Sequence, residues 1–201
     1  LQKILLLLFT LGFSLLLLSS CVTQQPKNIS NACSIVQQYP DWYHDAEQVY
    51  KKWGVPISVQ FAFIYKESSF IADARAPRTK LMGFIPWKYP STSYGYTQAV
   101  DGTWDMYLRD SGNTGAKRDN FEDSLEFIGW YANYIHQITG VSKRSAYKLY
   151  LAYNLGPGAI KSGSYKHNKA AQEKAQIAQD WAWRYASQLK DCKIPSKSWF
   201  W

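Results

Sequence analysis

A chain of 201 residues that is 46 % hydrophobic can bury the core of one ordinary domain, which excludes a disordered polymer. Aromatic residues make up 16 % of it, a composition suited either to a Trp-rich core or to a groove that stacks on flat ligands such as sugars. The formal net charge of +8 favours encounter with a polyanion or an anionic surface and says little about fold.

The chain begins with a single cation, Lys3, followed by apolar residues from Ile4 to Phe9 and again from Leu15 to Leu18. A lone positive charge before a short apolar run reads as a secretory signal, so residues 1–20 are set apart from the fold. Export excludes nucleic acid as the partner of the basic charge. It leaves cell wall, anionic lipid and surface polysaccharide. Leu18-Ser19-Ser20-Cys21 resembles the lipobox of bacterial lipoproteins. The resemblance implies that Cys21 is lipidated and that the chain reaches the membrane through its N-terminal lipid. Val22, where an aspartate would hold a Gram-negative lipoprotein at the inner membrane, implies the periplasmic face of the outer membrane. Residues 21–32 lack periodicity and read as a polar tether. Cys33 and Cys192 then bracket the domain. An oxidising compartment favours a bridge between them, with two free thiols as the other reading.

The domain proper, 33–192, reads as mainly helical. A first helix is expected from Asp41-Trp42 to Trp53, stopped by Gly54. A second starts near Pro56 and carries Ile57, Phe61, Phe63 and Ile64, apolar nearly all round and therefore central. Between residues 71 and 102, Pro77, Gly83, Pro86, Pro90, Gly95 and Gly102 predict loops and a short hairpin. A short helix follows at 103–110. Asn120 can cap a long helix that ends at Gly140, Ser142 the next, and Asn168 the last. A tail, 193–201, ends in Trp199-Phe200-Trp201 and has no assigned role. His44, His136 and His167 show no metal-ligand spacing, so neither metal nor cofactor is expected. Trp181 and Trp183 read as packing residues before sugar platforms.

The buried second helix runs straight into Ile64-Tyr65-Lys66-Glu67-Ser68-Ser69-Phe70. An ionised carboxylate among Phe63, Ile64 and Phe70 is costly to desolvate, so the proton tends to stay on Glu67. A carboxylic acid still protonated near neutral pH is what general acid catalysis of glycosidic cleavage requires. Taken alone, a Glu at a helix end is far more often a solvated surface residue.

Two further stretches change that balance: Gly95-Tyr96-Thr97-Gln98 and Ala152-Tyr153-Asn154. Glu-Ser, then Gly-x-x-Gln, then Ala-Tyr-Asn, in that order on a helical domain, resembles the soluble lytic transglycosylases (SLT domains) of bacterial cell walls, over roughly residues 41–190. The resemblance implies a lysozyme-like fold of the goose type with a small loop or hairpin lobe. It implies peptidoglycan glycan strands as substrate, with Glu67 as the catalytic acid and base. Ser68, Tyr96, Gln98, Tyr153 and Asn154 would contact substrate, with Ser91 and Ser93 as candidates for a further groove serine. The stretch from Arg75 to Pro90 is longer than the family's usual connection, and its Arg, Lys, Trp and Tyr residues serve either as a groove wall or as a structural flap. The expected activity is cleavage of the MurNAc-β-1,4-GlcNAc bond with formation of 1,6-anhydro-MurNAc. The alternatives are a hydrolytic muramidase on the same fold and a non-catalytic peptidoglycan-binding lipoprotein. A monomer in the cell envelope is the expected state.

Overall fold

The computed structural model describes residues 23–194 and 196. Cys21 and the Trp199-Phe200-Trp201 tail lie outside the described residues, as does the signal segment. Eight α-helices order the described chain: α1 Ala32–Gln38, α2 Pro40–Trp53, α3 Ile57–Ser68, α4 Asp101–Ser111, α5 Phe121–Thr139, α6 Ala146–Leu155, α7 Pro157–Ser162 and α8 Lys169–Lys190. Strands β1 Lys80–Leu81 and β2 Ile85–Pro86 form a two-stranded antiparallel hairpin between α3 and α4, with Leu81 opposite Ile85. Among the described residues no helix is long and apolar enough to cross a membrane.

The helix boundaries follow local chemistry. Asn120 and Asn168 accept from the backbone N–H groups of Asp123 and Ala171, as their positions predict. Pro56 sits one residue before α3, as its N-cap. The cap of α6 is Ser145, bonded to the N–H of Lys148, while the expected Ser142 closes a turn on Arg144 N–H. Three short elements, α1, α7 and the 3-10 turn Ser164–His167, have too few residues to show a helical period and were not anticipated.

The tether is shorter than expected. From Gln24 onward the chain lies against the domain, because its backbone and amide groups find partners there. Tyr39 donates to Gln24 O (2.7 Å), Gln25 Nε2 to Ser69 O (2.7 Å) and Gln188 Nε2 to Ser30 O (3.0 Å), and the Tyr185 hydroxyl donates to Ile29 O. Cys33 and Cys192 are disulfide-bonded with Cα atoms 5.5 Å apart, tying α1 to the end of α8.

α3 is the central helix. Val59, Phe61, Ala62, Phe63 and Ile64 are all buried, and it packs most extensively on α8. Its one buried amide, Gln60, donates to the carbonyls of Ala46 and Val55 (3.0 and 2.8 Å), fastening α3 to α2. α8 meets α3 and α6 through Ala171, Ala175, Ala178 and Ala182, small residues at helical spacing that let the backbones approach. Around Trp42 the core is aromatic: Trp42 stacks on Phe121 (3.6 Å) and Tyr39 (4.4 Å), with Phe70 and Tyr96 at its borders.

α2 crosses α5 at Gly129. A Cβ there would stand 2.4 Å from Trp53 Cδ1 and 2.7 Å from Val49 Cγ1. The Trp53 ring cannot swing aside freely, since its Nε1 donates to Glu126 Oε1 at 3.0 Å. Gly129→Ala is expected to lower stability by about 1–3 kcal/mol, the usual range for overpacking a core, as read by urea unfolding at constant m-value.

Candidate active site

The site starts where α3 stops. Glu67 is the penultimate residue of α3, and the next two non-helical residues, Ser69 and Phe70, are both left-handed (φ 53° and 63°). For a bulky residue this conformation is costly. Its return is the placement of Phe70, fully buried against Phe61 and Trp42 at 5.9 Å from each ring. The sharp exit leaves the Glu67 carboxyl at the helix end and carries the chain away from it.

Glu67 is a half-buried residue whose carboxyl points inward, and its Oε1 is sealed from solvent with no hydrogen-bond partner in the protein. Burial raises its pKa above the usual value of 4.5. A hydrogen bond from the Tyr150 side chain and the charges of Lys66 and Lys174 oppose that rise without cancelling it. Tyr150 and Tyr153 respond reciprocally: burial first, and the nearby Glu67 charge second, push both phenols up, so both keep their protons and remain donors. The Tyr153 hydroxyl donates to Thr97 O at 2.6 Å, joining α6 to the loop that precedes α4.

That loop is built around Gly95. Its φ is +78°, and a Cβ would lie 2.0 Å from Arg118 O, so only glycine fits. Ala74 O receives both the Gly95 N–H (3.0 Å) and the Gln98 side-chain amide (2.8 Å), and the same amide also donates to Gly95 O (2.8 Å). Gln98 is itself left-handed, φ 53°.

The structure brings Glu67 and Tyr153 together, and Thr97 links them to the Gln98 loop. Asn154 is exposed on the last turn of α6. Three of the expected substrate contacts have side chains engaged within the protein. Tyr96 is fully buried, at 5.1 Å from the Phe121 ring and edge-on to Trp42, and belongs to the core. Ser68 is buried with its hydroxyl turned back to Ile64 O (3.1 Å). Gln98 Nε2 donates to the backbone carbonyls of Ala74 and Gly95 and so holds the loop. Ser91 and Ser93 bond each other (2.8 Å). Ser91 lines a 350 Å³ cavity with Arg75 and Arg118, on the side of the long insert.

Sequence reading missed Tyr150 and Lys174. Tyr150 stands three residues before Tyr153, one turn back on the same helix, and that spacing was the available signal. Lys174 comes from α8, more than a hundred residues away, and nothing local marks it. Among the described residues no group of three His, Cys, Asp or Glu side chains could hold a metal ion.

Against this geometry the sequence profile of the transglycosylase SLT domain matches residues 9–192. The chain belongs to that family. A search among curated proteins returned no match. The SLT domain accounts for the mainly helical, lysozyme-like architecture and implies peptidoglycan as the substrate.

A carboxyl whose pKa is raised on folding binds its proton more tightly in the folded state. Its contribution to stability is complete below pH 4.5, the usual value, and is lost as pH rises through the folded pKa. In Glu67→Gln this loss is absent. The variant is therefore expected to gain thermal stability over the parent progressively above pH 4.5 and to hold a constant gain once Glu67 is ionised. Tyr150→Phe removes a bond that favours the ionised form, so the pH at which the parent's loss is complete moves upward. Melting temperatures from pH 3 to about pH 9 check both.

Proposed function

We propose that the chain is a peptidoglycan lytic transglycosylase in which Glu67 performs both proton transfers. The observation that carries this reading is the setting of Glu67: burial raises its pKa, and among the described residues the charges that act on it are those of the cations Lys66 and Lys174. Ordinary glycosidases need a second carboxylate as nucleophile or base. Of the nearest candidates, Asp101 is ion-paired to Arg118 at 2.8 Å, Asp105 is exposed on α4, and Asp73, just before the insert, is exposed and lines the cavity beside Arg75 and Arg78.

A single acid suffices if the substrate supplies the rest. Glu67, protonated, gives its proton to the oxygen bridging MurNAc C1 and GlcNAc C4. The C1–O bond breaks, and GlcNAc leaves with a free 4-hydroxyl. The 2-acetamido group of MurNAc supports the positive charge at C1. Glu67, now a carboxylate, takes the proton of the MurNAc C6 hydroxyl, and O6 bonds C1 to close the 1,6-anhydro ring. Both protons and the electron pair are accounted for without water. Attack within one sugar has a high effective molarity, so the protein's task is to position the ring and keep water out.

The roles of the neighbours follow. Tyr150 donates to the carboxyl and steadies it through the cycle, favouring the ionised form that the second transfer needs. Tyr153 is held by Thr97 O and fixes the wall of the site beside Glu67. Asn154, exposed at the end of α6, is placed to receive the acetamido group. The lipobox-like Cys21 would anchor the enzyme by lipid in the cell envelope, on the periplasmic face of the outer membrane in a Gram-negative cell, within reach of the wall.

On purified sacculi the wild-type chain is expected to release products one water lighter than the hydrolysed muropeptides. Glu67→Gln should lower the rate by about 10²–10⁴-fold, the range for losing a general acid. Mass spectrometry of the soluble products checks both. Hydrated reducing ends from the wild type would make the enzyme a muramidase, and glycan binding without release would leave a binding protein.

A further inference from the structure

The long insert after α3 holds two arginines in an arrangement that the proposed chemistry does not use. Tyr94 is fixed by donating to Asp119 Oδ2 at 2.9 Å, and the Arg75 guanidinium lies 4.2 Å from the centre of its ring. Tyr89 carries a second pair: Arg75 stands 5.1 Å and Arg78 4.8 Å from its ring. Stacking on a ring uses the flat face of a guanidinium and leaves its N–H edge free to fork onto an anion.

Neither arginine has an ion-pair partner among the described residues. The ion pairs there are Lys51–Glu47, Lys52–Glu126 and Arg118–Asp101. Both arginines line a cavity of about 760 Å³ with Lys80, Tyr89 and Tyr94. Asp73 is the single carboxylate in that lining and is ion-paired to neither arginine. Arg75 and Tyr89 also border the adjoining 350 Å³ cavity beside Ser91, so the basic surface continues between the two.

This cleft is registered to the catalytic loop. Ala74, the residue before Arg75, accepts from both Gly95 N–H and the Gln98 amide, and Thr97 in that same loop accepts from Tyr153 beside Glu67. The loop that borders Glu67 through Thr97 and Tyr153 is thus hydrogen-bonded to the residue that precedes the first of two unpaired guanidinium groups. The sugars of a peptidoglycan strand carry no charge. Its anionic groups are the free carboxylates of the peptide stems.

We infer that the Arg75–Arg78 cleft binds the carboxylates of peptidoglycan stem peptides, so that the enzyme prefers peptide-bearing strands to bare glycan. This rests on the proposed transglycosylase reading for its substrate, and on the cleft alone for its anion chemistry. Arg75 and Arg78 are both exposed, so their replacement leaves the core intact.

The test uses the full chain in three forms: parent, R75Q/R78Q and R75K/R78K. Binding of a free stem tetrapeptide is measured in each on the Glu67→Gln background, where turnover plays no part. R75Q/R78Q is expected to weaken it about tenfold or more, the least that losing two charge-assisted bonds should cost, and R75K/R78K by an intermediate amount because charge stays while the fork is lost. With Glu67 intact, the ratio of rates on sacculi to rates on amidase-stripped strands, whose freed lactyl carboxylates are first capped as methylamides, should fall by a similar factor in R75Q/R78Q. Tetrapeptide affinity indifferent to the arginines overturns the inference. So does binding to vesicles of anionic phospholipid that R75Q/R78Q abolishes while tetrapeptide binding survives, since the exposed Met82, Phe84 and Trp87 of the hairpin would then mark a membrane contact. If the parent clears neither substrate, the catalytic reading fails, and an arginine-dependent tetrapeptide affinity still supports the cleft.

Discussion

The burial of α3 is the constraint on which the rest of the structure depends. A helix apolar on nearly every side must be enclosed, and α2, α6 and α8 enclose it. The enclosure removes water from the end of the helix as well as from its middle, and Glu67 stands at that end. The same packing that stabilises the domain therefore raises the pKa of that carboxyl above its usual value. An ionisable group held this way lowers stability where it would otherwise ionise, a cost commonly found at functional sites.

Around that carboxyl the protein uses tyrosines where a second acid would stand in an ordinary glycosidase. Tyr150 and Tyr153 are buried phenols that stay protonated, so they can donate without adding charge. A second carboxylate at the same distance would raise the Glu67 pKa further and compete for its proton. The backbone near the site is held in uncommon conformations by contacts made elsewhere. Ser69 and Phe70 are left-handed because Phe70 is buried under Trp42, and Gln98 is left-handed with its amide fastened to Ala74 and Gly95. Local strain at these positions is maintained by the surrounding packing, which over-determines the loop.

The N-terminal segment is linked to the residues that turn the chain away from Glu67. Gln25 donates to Ser69 O, the residue that turns the chain away from Glu67, only four positions after the cysteine that resembles a lipidation site. The disulfide from Cys33 to Cys192 closes the domain just beyond that segment.

The sequence by itself determined the helical class and most of the long helices, and it singled out Glu67 as the candidate acid, because these depend on short-range information. Helical periodicity, Asn caps at 120 and 168, the glycine breaks and an apolar run ending in Glu67 are all legible within about 20 residues. Gly95 was legible as a motif, though its reason, a carbonyl of Arg118 where a Cβ would sit, was not. Only the tertiary structure decided which polar residues face the site. Tyr96, inside the Gly-x-x-Gln stretch, and Ser68, which follows Glu67, both turn inward, Tyr96 packing edge-on to Phe121 and Ser68 bonding the carbonyl of Ile64. Tyr150 and Lys174 reach Glu67 from α6 and α8, and the unpaired arginines face a cleft formed by residues 73–94. Whether a side chain is sealed, stacked or left with a free edge depends on neighbours distant in the chain, which a one-dimensional pattern does not record.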